Sequence, residues 1–179
     1  MTAATDLLVE GGPDALTVDG VVERSGVAKS TIYRHWSTRD ELVAQVFQSC
    51  APNLTAPEDL RFEDSLRSLM RSMVATLGDE KWRRLLPALL QLQVQHPELR
   101  ELNSEVNQDQ SDSMAEVLRL GVKEGVLPQS AVDDIQRSMT LLMGPLLMAA
   151  LFEKVPLDDR IADDALAQFM ASVSARAVD

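Results

Sequence analysis

The chain has 179 residues, of which 45% are hydrophobic and 25% are charged; this is the composition of a folded globular protein and excludes wholesale disorder. Aromatic residues make up only 4%, which disfavours an aromatic-rich β-sandwich, and the single cysteine, Cys50, excludes an intrachain disulfide and a zinc site built from several thiolates. The formal net charge of −11 argues against binding to an anionic membrane and, read globally, against binding to nucleic acid.

The termini and the apolar stretches predict a cytoplasmic protein. Residues 1–10 lack the cationic start and the apolar run of a secretory signal. The longest uncharged apolar stretch, Met139 to Phe152, has 14 residues. As a helix it would reach roughly 21 Å, which is short of a hydrocarbon core of about 30 Å. We therefore expect a buried helix there and no membrane partner.

The hydrophobic pattern predicts an all-α protein. Apolar residues recur every three or four positions through most of the chain, and few stretches alternate as strands do. Glycine, proline and capping residues then mark the ends of nine predicted helices. Four short ones are expected up to residue 11 and over about 18–25, 29–36 and 38–50, and five longer ones over about 62–77, 80–95, 97–124, 131–153 and 159–175.

Positive charge is concentrated in one segment. From Arg24 to Arg39 there is no Asp or Glu, yet the segment holds four basic residues, so it carries +4 and the rest of the chain carries −15. One basic patch on an acidic protein indicates a focused site for anions. The alternative is an ordinary solvated face of charged side chains.

The basic segment coincides with a helix-turn-helix pattern, in which Gly26 and Val27 form the turn between helices 18–25 and 29–36. The second helix of such a pair enters the major groove of DNA, where its outward side chains meet phosphates and base edges. Hydroxyls and cations bond phosphate oxygens, and long donors reach guanine. The side chains expected at this surface are Lys29, Ser30, Thr31, Tyr33, Arg34 and, at its rim, His35.

The segment DALTVDGVVERSGVAKSTIYRHWSTRDELVAQVF resembles the DNA-binding domain of the TetR family of bacterial transcriptional regulators. The match runs from about Leu7 to Phe47, and its core is Gly26-Val27 followed by the run from Thr31 to Trp36. The resemblance implies a homodimer of nine-helix subunits that binds double-stranded operator DNA, has no catalytic activity and usually represses transcription until a small molecule binds. It implies a helix-turn-helix domain over 1–47 and a ligand-binding and dimerisation domain over 48–179.

The resemblance also implies roles for single residues of the DNA-binding domain. Thr17 would cap the second helix and touch a phosphate, Lys29 and Ser30 would read bases, and Arg39 would grip the DNA backbone. Contacts to phosphate would come from Thr31, Tyr33 and His35. For Tyr33 a half-buried packing role is the alternative, and Trp36 is expected in the core. The chain departs from the family pattern at Ala28, where a capping serine is frequent, and has an unusual glycine, Gly20, inside the second helix, where it costs roughly 1 kcal/mol relative to alanine.

Methionines mark the predicted ligand pocket. Seven of the eight methionines lie in residues 48–179, on apolar helix faces, and methionine adapts its shape to line pockets for varied apolar ligands. The alternative is that they fill the core. In the family the pocket lies among the fifth to eighth helices, which gives as candidates Met70, Met73, Trp82, Leu86, Leu89, Met114, Met139 and Met143. Few charges are expected there, so the effector is predicted to be largely apolar.

The helix over 131–153 is too apolar for the surface of a monomer, because nearly every position over 139–152 is apolar around the whole circumference. With helix 159–175 it is predicted to form a four-helix interface across a two-fold axis, and the family dimerises in this way. The interface candidates are Met148, Leu151, Ile161, Ala165, Leu166, Phe169 and Val173.

The sequence contains no motif of an enzyme and no metal site. It has no glycine-rich phosphate loop, no His-Glu-x-x-His and no Gly-x-Ser-x-Gly. The two histidines lie 61 positions apart, and Cys50 has no evident activating partner. We therefore expect neither catalysis nor a cofactor. The alternative to a DNA-binding regulator is a helical dimer that binds or sequesters a small molecule and never engages DNA.

Overall fold

The computed structural model describes residues 1–50, 60–95 and 104–176. Within these ranges the regular secondary structure is entirely helical, which confirms the predicted all-α class. It consists of a short 3-10 helix over Pro13–Ala15 and ten α-helices: α1 Thr2–Gly11, α2 Val18–Ser25, α3 Lys29–His35, α4 Arg39–Cys50, α5 Phe62–Gly78, α6 Glu80–Gln95, α7 Ser104–Lys123, α8 Ser130–Asp133, α9 Ile135–Phe152 and α10 Asp159–Arg176.

The described helices number ten rather than the predicted nine, because the apolar helix expected over 131–153 is divided at Asp134. Asp134 leaves the helical conformation, with φ −111° and ψ 63°, and its carboxylate accepts a hydrogen bond from the backbone N–H of Arg137 at 3.2 Å. This residue therefore caps α9 and separates it from the single turn of α8. The predicted helix start at Pro97 lies outside the described residues.

The helices form two compact units. The first unit combines Met1–Ala51 with Glu80–Asn107, and the second combines Pro52–Asp79 with Gln108–Asp179. The sequence prediction divided the chain once, between residues 47 and 48, whereas the packing places α6 with the N-terminal helices. This difference arises because helix periodicity shows that a helix has an apolar face but not which neighbour covers that face.

The core of the first unit joins α1, α2, α3 and α4 to α6. Leu8, Leu16 and Leu42 are fully buried in it, and α6 adds Leu85 and Leu92 together with Ala88 and Leu89. The spacing of these α6 residues puts them on one face of the helix. Each leucine removed from water contributes on the order of 1.5–3 kcal/mol of hydrophobic stabilisation, so α6 is an integral part of this core.

In the second unit, α9 packs against α5 and α10, and α10 also packs against α5. Two ion pairs at the surface connect α5 to the start of α10: Arg67 lies 3.5 Å from Asp163 and Arg71 lies 3.4 Å from Asp159. The last helix begins at a cap, because Asp158 Oδ1 accepts the backbone N–H of Arg160 at 3.0 Å. The second unit is thus held together by mutual packing of α5, α9 and α10.

The α9 helix is rich in apolar residues, above all after its first turn. Its 18 residues have a mean hydropathy of 1.3, and by length and composition alone it is the one helix among the described residues that is both long and apolar enough to cross a membrane. Its buried residues include Leu142, Met143 and Leu146, which face its own unit, while Met148 and Phe152 are exposed. Only 28% of the helix is buried, so the expectation of a buried helix was wrong: one face packs on its own unit and much of the apolar surface is uncovered in the single chain.

Candidate DNA-binding surface

A tight turn joins α2 to α3. Gly26 ends α2 in the left-handed region, with φ 67° and ψ 5°, and its N–H donates to the carbonyl of Val22 at 3.0 Å. Glycine adopts this conformation without the steric cost that a Cβ imposes. The hydroxyl of Ser25 accepts the N–H of Val27 at 3.2 Å, and α3 begins two residues later. The predicted helix-turn-helix is therefore formed by this turn.

Thr17 caps α2 as predicted, and Gly20 completes the cap. The Thr17 Oγ1 atom accepts the N–H of Gly20 at 3.0 Å, which leaves the hydroxyl proton available as a donor. A Cβ at Gly20 would lie 3.0 Å from Thr17 Oγ1 and 3.3 Å from the carbonyl oxygen of Ala15. Glycine inside this helix, unexplained by the sequence, thus permits the close approach of the preceding segment.

The α3 helix turns its polar side chains outward. Ile32 is buried, and Trp36, which follows the helix, packs half-buried against the core of the first unit, as expected. Thr31 is half-buried, and the remaining predicted DNA-facing side chains are exposed: Lys29, Ser30, Tyr33, Arg34 and His35. Tyr33 keeps 42% of its surface exposed, which favours a contact role over a packing role. Ala28 offers no side-chain cap, in line with the sequence.

Three of the four cations in the basic segment are already engaged, and Arg24 is the first. Its guanidinium donates to both carboxylate oxygens of Glu10, from Nη1 to Oε2 at 2.7 Å and from Nη2 to Oε1 at 2.6 Å. Asp6 lies 4.0 Å from the same guanidinium. The hydrogen bond from Arg24 lowers the pKa of Glu10, and Arg24 connects α2 to α1. Its charge is therefore compensated within the chain.

Lys29 is the second engaged cation. Its Nζ atom lies 2.7 Å from Oδ1 of Asp19 in the first turn of α2 and 5.5 Å from the centroid of the Tyr33 ring. The hydrogen bond to Asp19 raises the pKa of Lys29. Asp19 was missed by the sequence analysis, because it precedes the acid-free segment by five residues and reaches Lys29 only across the turn.

Arg39 is the third engaged cation and lies at the start of α4. Its Nε atom donates to the carbonyl of Leu16 at 2.9 Å, and its Nη2 atom donates to the carbonyl of Pro13 at 2.6 Å. The side chain is half-buried. These bonds give Arg39 a positioning role that the resemblance did not suggest, since they hold the segment that leads into Thr17.

Arg34 has no ion pair or hydrogen bond with any other residue that the structure describes, and its side chain is exposed. Arg34, Thr17 and Ser30 thus present hydrogen-bond donors on this exposed surface. Within the described residues, no carboxylate competes for the Arg34 guanidinium. Within the described part of the basic segment, this arginine is therefore the cation most available to an external anion.

A variant of the capping box starts α4. The N–H of Glu41 donates to Thr38 Oγ1 at 3.2 Å, while the Glu41 carboxylate accepts the N–H of Ser37 at 2.7 Å and its hydroxyl at 3.0 Å. The hydrogen bond from the Ser37 backbone lowers the pKa of Glu41. In the standard motif the carboxylate accepts the N–H of the capping residue, which is Thr38 here. The Glu41 carboxylate instead accepts the N–H of the preceding residue, Ser37.

The pocket candidates are divided between the two units. Four of the methionines are buried and Met139 is half-buried, all in the second unit; Leu89 is buried in the core of the first unit, and Trp82 packs against that core. Leu86 is half-buried on the same helix. The four buried methionines are Met70, Met73, Met114 and Met143. The pocket itself stays a prediction.

Part of the predicted dimer interface is already covered within a single chain. Ala165, Leu166, Phe169 and Val173 are buried, because this face of α10 packs on α5 and α9, and the interface itself stays a prediction. Met148 is 57% exposed, and Leu151 and Ile161 are half-buried. Two further exposed apolar residues, Phe152 and Val155, lie close by in the sequence.

Comparison with known proteins decides the family. The model of the TetR family of bacterial regulatory proteins matches residues 1–46, and the model of the tetracyclin repressor-like C-terminal domain matches residues 56–169. This chain belongs to the TetR family. Among the described residues of this TetR-family regulator, no group of three or more His, Cys, Asp or Glu side chains is arranged to hold a metal ion.

Relatives of this TetR-family chain are transcriptional regulators. It is 26% identical to the uncharacterized HTH-type transcriptional regulator YdeS of Bacillus subtilis over 98% of its own length and 88% of that protein. Shorter matches include the HTH-type transcriptional repressor Rv3405c of Mycobacterium tuberculosis, 36% identical over 34% of this chain and 35% of that protein. The HTH-type transcriptional activator FasR of Mycolicibacterium smegmatis is 31% identical over 44% of this chain and 37% of that protein.

Solved structures share the fold. A TetR transcriptional regulator from Agrobacterium tumefaciens superposes with a TM-score of 0.71 at 22% sequence identity, covering 95% of this chain and 90% of that one. The family match and this likeness confirm the resemblance that the sequence suggested and the all-α, helix-turn-helix architecture.

Proposed function

We propose that this TetR-family regulator is a cytoplasmic repressor that binds a pseudo-palindromic operator as a homodimer and is released by a small, largely apolar effector. The observation that carries the proposal is the row of exposed polar side chains on α3, behind a turn of the helix-turn-helix type. These side chains match what the major groove accepts, namely donors for phosphate oxygens and for base edges.

In this proposal the recognition helices of two subunits enter successive major grooves about 34–36 Å apart. Lys29 and Ser30, at the start of α3, read bases. The hydroxyls of Thr17, Thr31 and Tyr33 donate to phosphates, together with the side chains of Arg34 and His35. Arg39 supports this surface through the segment before Thr17 and is also expected to reach the DNA backbone.

We assign dimerisation to the outer face of α9 and the start of α10. Met148, Leu151 and Ile161 are the candidates that burial leaves accessible or half-accessible, and Phe152 extends the same apolar surface. An exposed apolar surface on a helix as rich in apolar residues as α9 is favourable to cover with a second copy. The residues of 48–179 would thus hold both the dimer surface and the effector pocket, with 1–47 as the DNA-binding domain.

The effector site is proposed from the five methionine candidates of the second unit, which supply an adaptable apolar lining. Trp82, Leu86 and Leu89 lie on α6 in the first unit, where Leu89 is buried in the core, so they are left out of the proposed pocket. Effector binding would shift α4 and thereby change the separation of the two recognition helices, so that effector and DNA bind with opposing preference. Saturating effector is then expected to lower operator affinity.

Repression rather than activation is the direction we propose, in keeping with the usual behaviour implied by the family and with the name of the relative Rv3405c, although FasR is named an activator. A promoter fusion to the chain's own upstream DNA decides the direction, because deletion of the gene raises expression from a repressed promoter and lowers it from an activated one.

Fluorescence anisotropy with duplex DNA from the region upstream of the gene tests the DNA-binding part. We expect affinity to fall steeply between about 50 and 300 mM salt, since phosphate contacts release counterions. Native mass spectrometry of the purified protein measures its oligomeric state and any co-purified small molecule. A dimer with a bound small molecule but no salt-dependent DNA binding would instead favour a protein that sequesters its ligand.

A further inference from the structure

An exposed ion pair crosses the surface that would meet DNA. It joins Asp19 in the first turn of α2 to Lys29, the first residue of α3, with 2.7 Å between Oδ1 and Nζ. The side chains are 69% and 59% exposed, so the pair lies in solvent. The Tyr33 ring, 5.5 Å from the same Nζ, borders it on the next turn of α3. An acidic side chain is thus in direct contact with the lysine proposed to read bases.

We propose that Asp19 is a specificity-determining residue that keeps Lys29 from non-matching DNA and, together with it, selects a G·C base pair. The inference rests on the proposed function, because it requires α3 to enter the major groove. The surrounding donors attract phosphates, whereas the Asp19 carboxylate repels them.

The reason is that phosphates are present at every step of a duplex and carry no sequence information. A free lysine would bind them anywhere and would add affinity for all sequences equally. A lysine paired with Asp19 must break that ion pair before it can bind a phosphate. That exchange leaves the Asp19 carboxylate unpaired and close to the anionic backbone.

A G·C pair removes this conflict because it offers partners to both side chains. The guanine O6 and N7 atoms accept hydrogen bonds from the ammonium of Lys29, and the cytosine N4 amino group donates to a carboxylate. An A·T pair in the major groove has its donor, adenine N6, between two acceptors, adenine N7 and thymine O4. The two neighbouring acceptors that Lys29 would bind on guanine are therefore not present in that order. Charge complementarity therefore predicts that Asp19 and Lys29 act as a unit with a preference for G·C.

The experiment compares the full chain with D19N and with the control D14N. Asp14 is an exposed carboxylate of the same unit, in the 3-10 helix, so D14N makes the same change in net charge without removing the partner of Lys29. Binding to a fluorescein-labelled duplex of random sequence, about 40 base pairs long, is measured from about 50 to 300 mM salt. In parallel, each variant selects its preferred sequences from a random duplex library.

For D19N we expect roughly 5- to 20-fold tighter binding to the random duplex at about 100 mM salt and a salt slope steeper by about one per subunit, because Lys29 becomes free to bind a phosphate. The selected sequences should lose a G·C preference that the unsubstituted chain shows. D14N should change binding to the random duplex less than about twofold.

Equal effects of D19N and D14N, or an unchanged G·C preference in D19N, would overturn the inference while leaving the proposed function intact. Absence of DNA binding by the unsubstituted chain would overturn both. Thermal melting monitors folding of each variant. D19S removes the same charge with a residue suited to a helix start, so it takes the place of D19N in both measurements if D19N does not fold.

Discussion

Arg39 binds the carbonyl of Leu16, 23 residues earlier in the chain, through its Nε atom at 2.9 Å. With its second bond to Pro13, it connects the first residue of α4 to the segment that precedes the Thr17 cap. The basic side chain expected to grip DNA is thus also a support for the DNA-binding surface. Function and stability are consequently coupled at this position.

Replacing Arg39 by alanine should lower stability and DNA binding together. The loss of two charge-assisted hydrogen bonds at a half-buried site costs about 1.5–3 kcal/mol, or about 3–10 °C in melting temperature. DNA affinity should fall for all sequences about equally. R34A is the matched control: it should leave the melting temperature unchanged, because Arg34 has no partner within the described residues, and lower the salt slope by about one per subunit. A melting temperature unaffected by R39A would contradict the support role.

Replacing Gly20 by alanine should destabilise the chain even though alanine is the better helix former. The gain in helix propensity is about 1 kcal/mol, but the new Cβ would lie 3.0 Å from Thr17 Oγ1 and 3.3 Å from a backbone carbonyl. Because the contact is to a cap and to backbone, neither can move without weakening the start of α2. G78A is the control, since its Cβ would meet only Leu157 at 4.0 Å and should stabilise. Denaturant unfolding of both variants measures the difference, and a stabilising G20A would refute the close approach.

The Glu10 carboxylate should make stability depend on acid pH. Its pKa is lowered by Arg24 from an ordinary value of 4.5, so the folded state holds the charged form more strongly than the unfolded state does. The resulting stabilisation is present above about pH 4.5 and is lost as the pH falls through the lowered value. Thermal melts at about pH 7 and pH 4 should differ less for E10Q than for the unsubstituted chain. E23Q, which changes an exposed carboxylate of the same unit, should leave that difference unaltered.

A charge on the outer face of α9 should dissociate the proposed dimer. M148E places a carboxylate on a side chain that is 57% exposed in one chain and would be buried between two. Burial of an unpaired charge is strongly unfavourable, so monomers should predominate at micromolar concentration. V94E, at another exposed apolar position, should leave assembly unchanged. Analytical ultracentrifugation measures both, and a dimeric M148E would move the interface elsewhere.

The features that could be predicted from the sequence are those that depend on a few neighbouring residues. The positions of Thr17, Gly26 and Trp36 follow from capping, turn and periodicity rules that operate within a few residues, and the structure confirms each of them. The family motif in the same segment then predicted the family correctly. The location of the candidate DNA-binding surface could therefore be predicted from the amino-acid sequence alone.

What the sequence did not reveal depends on contacts between distant residues. The pairing of Lys29 with Asp19 and the bonds from Arg39 to Pro13 and Leu16 arise only when the helices fold together. The inward face of α10 packs on its own chain, and the sequence could not show this because an apolar stripe has the same period whether it meets its own chain or a partner. The cap at Asp134 could not be singled out from the sequence, because its neighbours Ser130 and Asp133 are residue types that cap helices equally well.

The place of α6 determines when the N-terminal helices are able to fold. Leu85, Ala88, Leu89 and Leu92 complete a core whose other members all lie before residue 47. During translation that core stays incomplete until the ribosome has released residue 92, after the whole of α5. A fragment that stops after α4 would keep the helix-turn-helix but expose to solvent the apolar side chains that α6 covers, and it should aggregate more readily than the intact chain.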